Sequence, residues 1–225
     1  MRAHRLFKGW FSLLVTASLC LGAGCAGRKT VPPALMEAGD EQDVLALSDA
    51  LEALIAAGQD TPADREYAYE IVRMHDEDTA PTTFARAAVT GRLVQQKGLL
   101  ASHLIPEVER YGRRSRELDP DFRDGAATRL LGTLYVMAPA GLLKHGDSED
   151  GIEMLEGLAE QYPDVLENHL RLAEAYIALH DPEPAAPHLC RCLAHKAALR
   201  TDDQALLKQL VDYARLPPCP QTMAH

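Results

Sequence analysis

The sequence is poor in aromatic residues, at 5% with four Phe and one Trp, which leaves few stacking platforms for nucleic-acid bases. Positive charge is scarce as well. Lys and Arg number 23 against 33 Asp and Glu, a net of −10, and a surface of that sign repels phosphate backbones. Five cysteines are too few, and too unevenly placed, for a disulfide-framed miniprotein. No segment alternates apolar and polar residues long enough to make a strand, and β-branched residues are sparse. Gly-x-Ser-x-Gly, His-Glu-x-x-His, a phosphate loop and a dinucleotide fingerprint are all missing, so the familiar arrangements for acyl transfer, metal hydrolysis and nucleotide chemistry are not there. The expectation is a binding protein with no cofactor and no nucleic-acid partner, not an enzyme.

What is present is a chain of 225 residues, 47% apolar, long enough for one domain with an appendage. Its amino terminus is unlike the rest. Arg2, His4, Arg5 and Lys8 make a basic start, and residues 9–27 carry no charge, with Trp10, Phe11, Leu13, Leu14, Val15, Leu19 and Leu21 as an apolar body. Basic residues, an apolar run and then small residues form a secretory signal. The run ends in Gly22-Ala23-Gly24-Cys25, which resembles the lipobox of bacterial lipoproteins, with the leucine one place early at Leu21. The resemblance implies cleavage after residue 24 and a diacylglycerol on the Cys25 thiol. A plain secretory signal, lipidation at Cys20 and an uncleaved anchor are the other readings of the same stretch. Ala26 is not the Asp that resembles an inner-membrane retention signal, so the expected address is the periplasmic leaflet of the outer membrane. Loss of Arg2, Arg5 and Lys8 leaves 20 bases against 33 acids, a mature charge of −13.

Residues 25–40 mix Gly, Pro and polar residues without a period and read as the lipidated terminus and a tether. From Glu41 to Arg215 the pattern is helical. Val44, Leu47, Leu51, Leu54 and Ile55 form one stripe, ended by Gly58. Thr61-Pro62-Ala63-Asp64 starts a second helix running to about His75. A polar break at 76–81 precedes a third helix from Thr83 to Leu100, and Pro106 opens a fourth that runs to Leu118. Near the end, Thr201-x-x-Gln204 reads as a capping box before a stripe of Leu206, Leu207, Leu210, Val211 and Ala214. The tail 216–225 reads as loose. The fold class is all-α.

Two stretches repeat. Leu118-Asp119-Pro120-Asp121 leads to Leu131-Gly132-x-x-Tyr135, and Tyr162-Pro163-Asp164 leads to Leu172-Ala173-x-x-Tyr176. Between them Gly146-Asp147 opens a helix with Ile152, Leu155, Leu158 and Ala159 on its apolar face. This resembles the tetratricopeptide pattern, in which Gly132 and Ala173 let two helices cross closely while Tyr135 and Tyr176 pack between hairpins. The resemblance implies stacked helical hairpins in a short solenoid with a concave face. Tyr135 and Tyr176 lie 41 residues apart, against about 34 for a standard repeat, and the surplus is an insertion at 137–145. In the third unit Asp181-Pro182 opens a helix that Pro184 and Pro187 disturb, so it starts nearer Pro187 or irregularly.

The order of Leu118-Asp119-Pro120, Asp124-Gly125-Ala126, Leu131-Gly132-x-x-Tyr135, Pro139, Gly146-Asp147 and Asn168 with Ala173-Glu174 looks like the T-component family of TRAP transporter systems. These are tetratricopeptide-like bacterial lipoproteins. The resemblance covers about half of the mature chain. It implies a periplasmic partner, the solute-binding subunit of the transporter, and no catalytic residues. A small apolar ligand in the repeat groove and a homo-oligomer are further expectations. The alternative is a helical-repeat lipoprotein scaffold for outer-membrane assembly, secretion or pilus biogenesis.

Three side-chain groups remain as candidate sites. His188, Cys192 and His195 would share a helix face, a weak metal arrangement whose blander reading is buried core residues. Cys219 in an oxidising compartment can bridge to Cys190 or Cys192, a choice that spacing leaves open. Arg110, Arg113, Arg114 and Arg116 on one helix read as an anion or headgroup site, or as a solvated helix end.

Overall fold

A computed structural model describes residues 30–215 together with Cys219; the leader 1–24, the Cys25 lipidation site and the remainder of the tail 216–225 lie outside the described residues. Among the described residues the regular structure is ten α-helices and three 3-10 turns, with no strand.

The order begins with α1 (Pro33–Asp40), α2 (Val44–Ala56), α3 (Pro62–Val72) and α4 (Ala80–Lys97). Of the α2 stripe, Val44, Leu47 and Leu51 are buried, and Leu54 and Ile55 pack half-buried beside them. The Asp43 carboxylate caps α2 by accepting from the Ala46 N–H at 2.9 Å. Thr61 and Asp64 form a reciprocal capping box at the start of α3. Thr79 caps α4, which starts three residues before the expected Thr83. Pro81 stands in its first turn, where a missing N–H costs nothing, and so does not break the segment.

The tether expected at 25–40 is corrected over its second half. Pro33 to Asp40 is α1, with Leu35 fully buried and Ala38 nearly so, in one cluster with Leu47, Leu51, Val72 and Val89. Prolines in the first turn and apolar residues three apart suffice for a short helix once α2 and α3 offer an apolar surface. Burying a leucine contributes about 1.5–3 kcal/mol, enough to order a turn or two that no isolated peptide would hold.

Next come a 3-10 turn (Gly98–Leu104), α5 (Ile105–Leu118), α6 (Ala126–Met137), a second turn (Ala140–Leu142), α7 (Ser148–Gln161), α8 (Leu166–Ala178), α9 (Ala185–Ala194), a third turn (Lys196–Ala198) and α10 (Thr201–Ala214). The pairs α4/α5, α6/α7 and α8/α9 are the hairpins. Asp147 caps α7 with both halves of a capping box. Pro184 is the N-cap of α9, so Pro187 falls in the first turn without harm. The Thr201–Gln204 capping box does not form. Arg200 is the N-cap, and the Gln204 amide instead donates to the Leu199 carbonyl at 2.8 Å.

The hairpins turn back on themselves. Helices α2, α4, α6, α8 and α10 touch in succession, and α10 touches α2. The seam is ionic: Glu52 on α2 accepts two hydrogen bonds from Arg92 on α4, both at 2.6 Å, and a third at 2.9 Å from Arg200 at the head of α10. Arg200 also donates to the Glu52 carbonyl at 3.1 Å. Beside the seam, Arg171 on α8 meets the buried Asp203 of α10 at 2.6 Å. The concave face expected of a solenoid is thus turned inward, and helix meets helix across it. The last helix, α10, packs on α8, α9 and α2 together.

Candidate functional site

The hairpin signature acts at the α6/α7 crossing. At Gly132 an added Cβ would stand 2.8 Å from Leu155 Cγ and 3.0 Å from the Gly151 carbonyl oxygen, and at Gly151 it would stand 2.7 Å from the Gly132 carbonyl oxygen. Two glycines therefore let the backbones touch. Ala173 is fully buried, and Tyr176 packs half-buried across two core clusters with its hydroxyl on Glu156.

Tyr135 is 2% exposed, and Gly146 lies flat against its ring, where any side chain would overlap it. That contact directs the inserted segment 137–145 back toward α5. There Glu109, with no exposed surface, accepts the N–H of Lys144 at 2.9 Å and of His145 at 2.8 Å. One buried carboxylate thereby fixes the insertion, and the two donated amides balance its desolvation.

The insertion, α5 and the α3–α4 loop line an open recess of about 550 Å³. One wall is α5, which presents Arg110, Arg113 and Arg114, with Lys144 and His145 beside them. The loop of His75, Asp76, Glu77 and Asp78 lines it too, as do Glu109 and Glu117 of α5, so acids and bases are balanced around it. The four arginines noted in the sequence part company here. Arg114 clamps Asp78 at 2.7 and 2.5 Å and reaches Glu117 at 3.3 Å, which holds the Asp78 carboxyl below its usual range. Arg116 is exposed outside the recess, near the Met154 sulfur. Arg110 stands 4.4 Å from the Tyr111 ring centroid, as does Arg86, which is itself paired with Glu107 at 2.9 Å. Arg110, Arg113 and Lys144 form no ion pair among the described residues. The Tyr135 hydroxyl is buried between Arg113 and Glu109, outside strict hydrogen-bond geometry to any of the described residues; burial raises its pKa, with hydrogen bonding and charge from Arg113 lowering it and from Glu109 raising it.

The His/Cys cluster is not brought together. His195 lies past the end of α9, exposed. Cys192 is fully buried with its thiol toward the Leu166 carbonyl at 3.6 Å, and burial pushes its pKa up to about 12. His188 turns to His169, with the two Nδ1 atoms 2.9 Å apart and the rings stacked, while His169 Nε2 contacts the Pro163 carbonyl oxygen at 2.8 Å. Among the described residues no three ligand-type side chains stand within reach of one metal ion.

Cys219 is bonded to Cys190, and Cys192 is the free thiol. The 29-residue separation encloses all of α10, so the bond ties that helix to α9. Chain entropy assigns a loop of this size about 3.6 kcal/mol. Reductant is therefore expected to lower the melting temperature of the oxidised protein by several degrees, and a Cys190→Ser, Cys219→Ser variant should melt at the reduced value whether or not reductant is present.

Glu109 escaped the sequence reading although a signal existed. It falls on the buried stripe of Ile105, Val108, Gly112 and Ser115, where a carboxylate needs a partner from elsewhere in the fold. No family model matches this sequence, and no curated protein is significantly similar to it.

Proposed function

We propose that this chain is a lipid-anchored, periplasm-facing binding protein that docks another envelope protein, by resemblance the solute-binding subunit of a TRAP transporter. The support that carries the reading is where the family-like residues fall. Tyr135 and Gly146 meet beside the inserted segment 137–145, which Glu109 holds against α5 and whose Lys144 and His145 line the recess, while Gly132 serves the α6/α7 crossing. A long loop held in a fixed shape on a rigid hairpin array is a common seat of recognition. Anchoring rests on the basic, apolar and small-residue order of residues 2–25. No helix among the described residues is long and apolar enough to cross a membrane.

The test uses the full chain. Cys25→Ser should move the protein from the membrane to the soluble fraction of the envelope; retention in the membrane overturns the lipid anchor. Cross-linking the lipidated protein in intact cells should capture a solute-binding protein. Capture of an outer-membrane barrel or secretin instead overturns the transporter reading in favour of the scaffold.

A further inference from the structure

We infer that the stacked pair His169 and His188 is a proton-operated latch between α8 and α9. It stays closed when neutral or carrying one added proton, and a second proton opens the last hairpin and uncovers the Cys192 thiol.

The hydrogens of the pair are assigned by elimination. His169 Nε2 lies 2.8 Å from the Pro163 carbonyl oxygen, which can only accept, so this nitrogen donates and Nδ1 of the neutral ring is bare. That bare Nδ1 lies 2.9 Å from His188 Nδ1, which must therefore donate, leaving His188 Nε2 with a free lone pair. One run of hydrogen bonds thus joins α9 through His169 to the turn before α8. The first added proton enters at His188 Nε2 and leaves every bond of the run in place, with a stronger donor at Nδ1. The second has only His169 Nδ1 to take. There it sets two N–H groups against each other across 2.9 Å, with a positive charge on each of two rings whose centroids are 5.2 Å apart. Packing limits the escape: His169 is buried, and His188 is half-buried with the Tyr176 ring stacked beside it. Both pKa values are lowered, by burial first and, for His188, by the charge of His169 next. The charged groups that face the pair are Glu156 of α7, Asp164 of the α7–α8 turn and Arg191 of α9. Each acid is already engaged, Asp164 by Arg191 at 2.9 Å and Glu156 by the Tyr176 hydroxyl. Cys192 follows His188 by four residues, on the same face of α9, where it packs with Leu170 and Ala173. Rings that part therefore lift the face that covers the thiol.

The latch lies within one hairpin and does not depend on the transporter reading. An imidazole whose folded pKa lies below its unfolded value, about 6.5, stabilises the closed hairpin fully above that value. Its contribution is lost as the pH falls through the folded pKa. The experiment labels the full oxidised chain with a pyridyl disulfide reagent at several pH values between about 7.5 and about 5, across the range in which histidine titrates. The label on Cys192 is located by peptide mass, and its rate is divided by that of the urea-unfolded chain at the same pH. The relative rate should rise at least about tenfold toward acid. His188→Phe keeps a ring beside Tyr176 but neither titrates nor opposes a proton on His169, so it should cut the rise severalfold. Should the phenyl ring itself loosen the hairpin, labelling is faster at every pH and the acid step is still reduced. His195→Gln, exposed past the end of α9, should leave the step unchanged. Asp203, whose pKa burial raises, is common to all three proteins and cancels in the comparison. Nitrogen NMR of the imidazole rings at neutral pH should place the hydrogen on Nε2 of His169 and on Nδ1 of His188. The opposite tautomers, a relative labelling rate that stays flat into acid, or a step of wild-type size in His188→Phe each overturn the latch.

Discussion

Gly151→Val should destabilise the fold by about 3 kcal/mol, lowering the melting temperature by roughly 6–12 °C in a chain of this length. The Cβ at this position would stand 2.7 Å from the Gly132 carbonyl oxygen, 2.9 Å from a Val136 methyl and 3.1 Å from Tyr135 Cβ. A flexible side chain could turn away, but the carbonyl belongs to the α6 backbone and is held by its own helix. The two helices must therefore separate, and the leucines that interlock beside the crossing lose contact along with them. Gly157, on the same helix, provides the control. It is exposed, with nothing within 4 Å of its added Cβ, so Gly157→Ala should stabilise by about 0.5–1 kcal/mol through helix propensity alone. Thermal or urea unfolding of both variants checks the pair. Equal effects at the two positions would show that the crossing is not tightly packed.

Glu52→Gln should cost about 2–3 kcal/mol at neutral pH and loosen α10 from α2. The wild-type carboxylate faces two guanidinium groups, and a neutral amide leaves both under-compensated. The side chains are about one-fifth exposed for Glu52 and Arg92 and one-third for Arg200, so solvent screens part of the effect and keeps it below that of a fully buried pair. The pH dependence has a defined sign. Burial by itself would raise the Glu52 pKa, but the hydrogen bonds and charge of Arg92, joined by Arg200, outweigh it and leave the pKa lowered. A carboxyl whose folded pKa lies below its unfolded value, about 4.3, stabilises fully above that value and loses its contribution as the pH falls through the folded pKa. Asp203 works in the opposite sense, since burial raises its pKa despite Arg171. Comparing wild type with Glu52→Gln at each pH cancels the Asp203 part. The stability gap between them should be full at pH 7 and vanish in acid. A gap that stays constant into acid would remove the carboxylate's charge from the seam. Hydrogen exchange in α10 should rise in the variant before exchange in α4 and α5 does.

Much of the fold was readable one helix at a time. The Thr61–Asp64 box, the Val44 to Leu51 stripe and the end of α5 at Leu118 depend on residues within a turn or two of each other. The Gly132 and Tyr135 spacing was legible for the same reason, although Gly151 and Gly146 as their partners were not. Local signals misled where the neighbouring surface decides the outcome. Residues 33–40 have almost no pattern, yet α1 forms because Leu35 finds a pocket among α2, α3 and α4. Thr201 and Gln204 have the right spacing for a capping box, but Arg200 is drawn to Glu52, which shifts the N-cap by one residue.

The amino-acid order alone carries the all-α class, most helix starts and stops and the hairpin repeat, because helical periodicity and capping are interactions over three or four residues. It also carries the expectation of an anchored amino terminus, the excess of acids and the want of stacking aromatics. Tertiary structure alone decided three further things: that the solenoid closes through Glu52 and Arg200, 148 residues apart; that Glu109 holds the insertion from 35 residues away; and that Cys219 takes Cys190 in preference to Cys192. Charge pairs and thiols have no period, so their partners are set by which surfaces packing brings together. The four arginines of α5 show the same division. One stretch of sequence placed them side by side, and the fold then used Arg114 for an ion pair, left Arg116 in solvent, and turned Arg110 and Arg113 toward a recess.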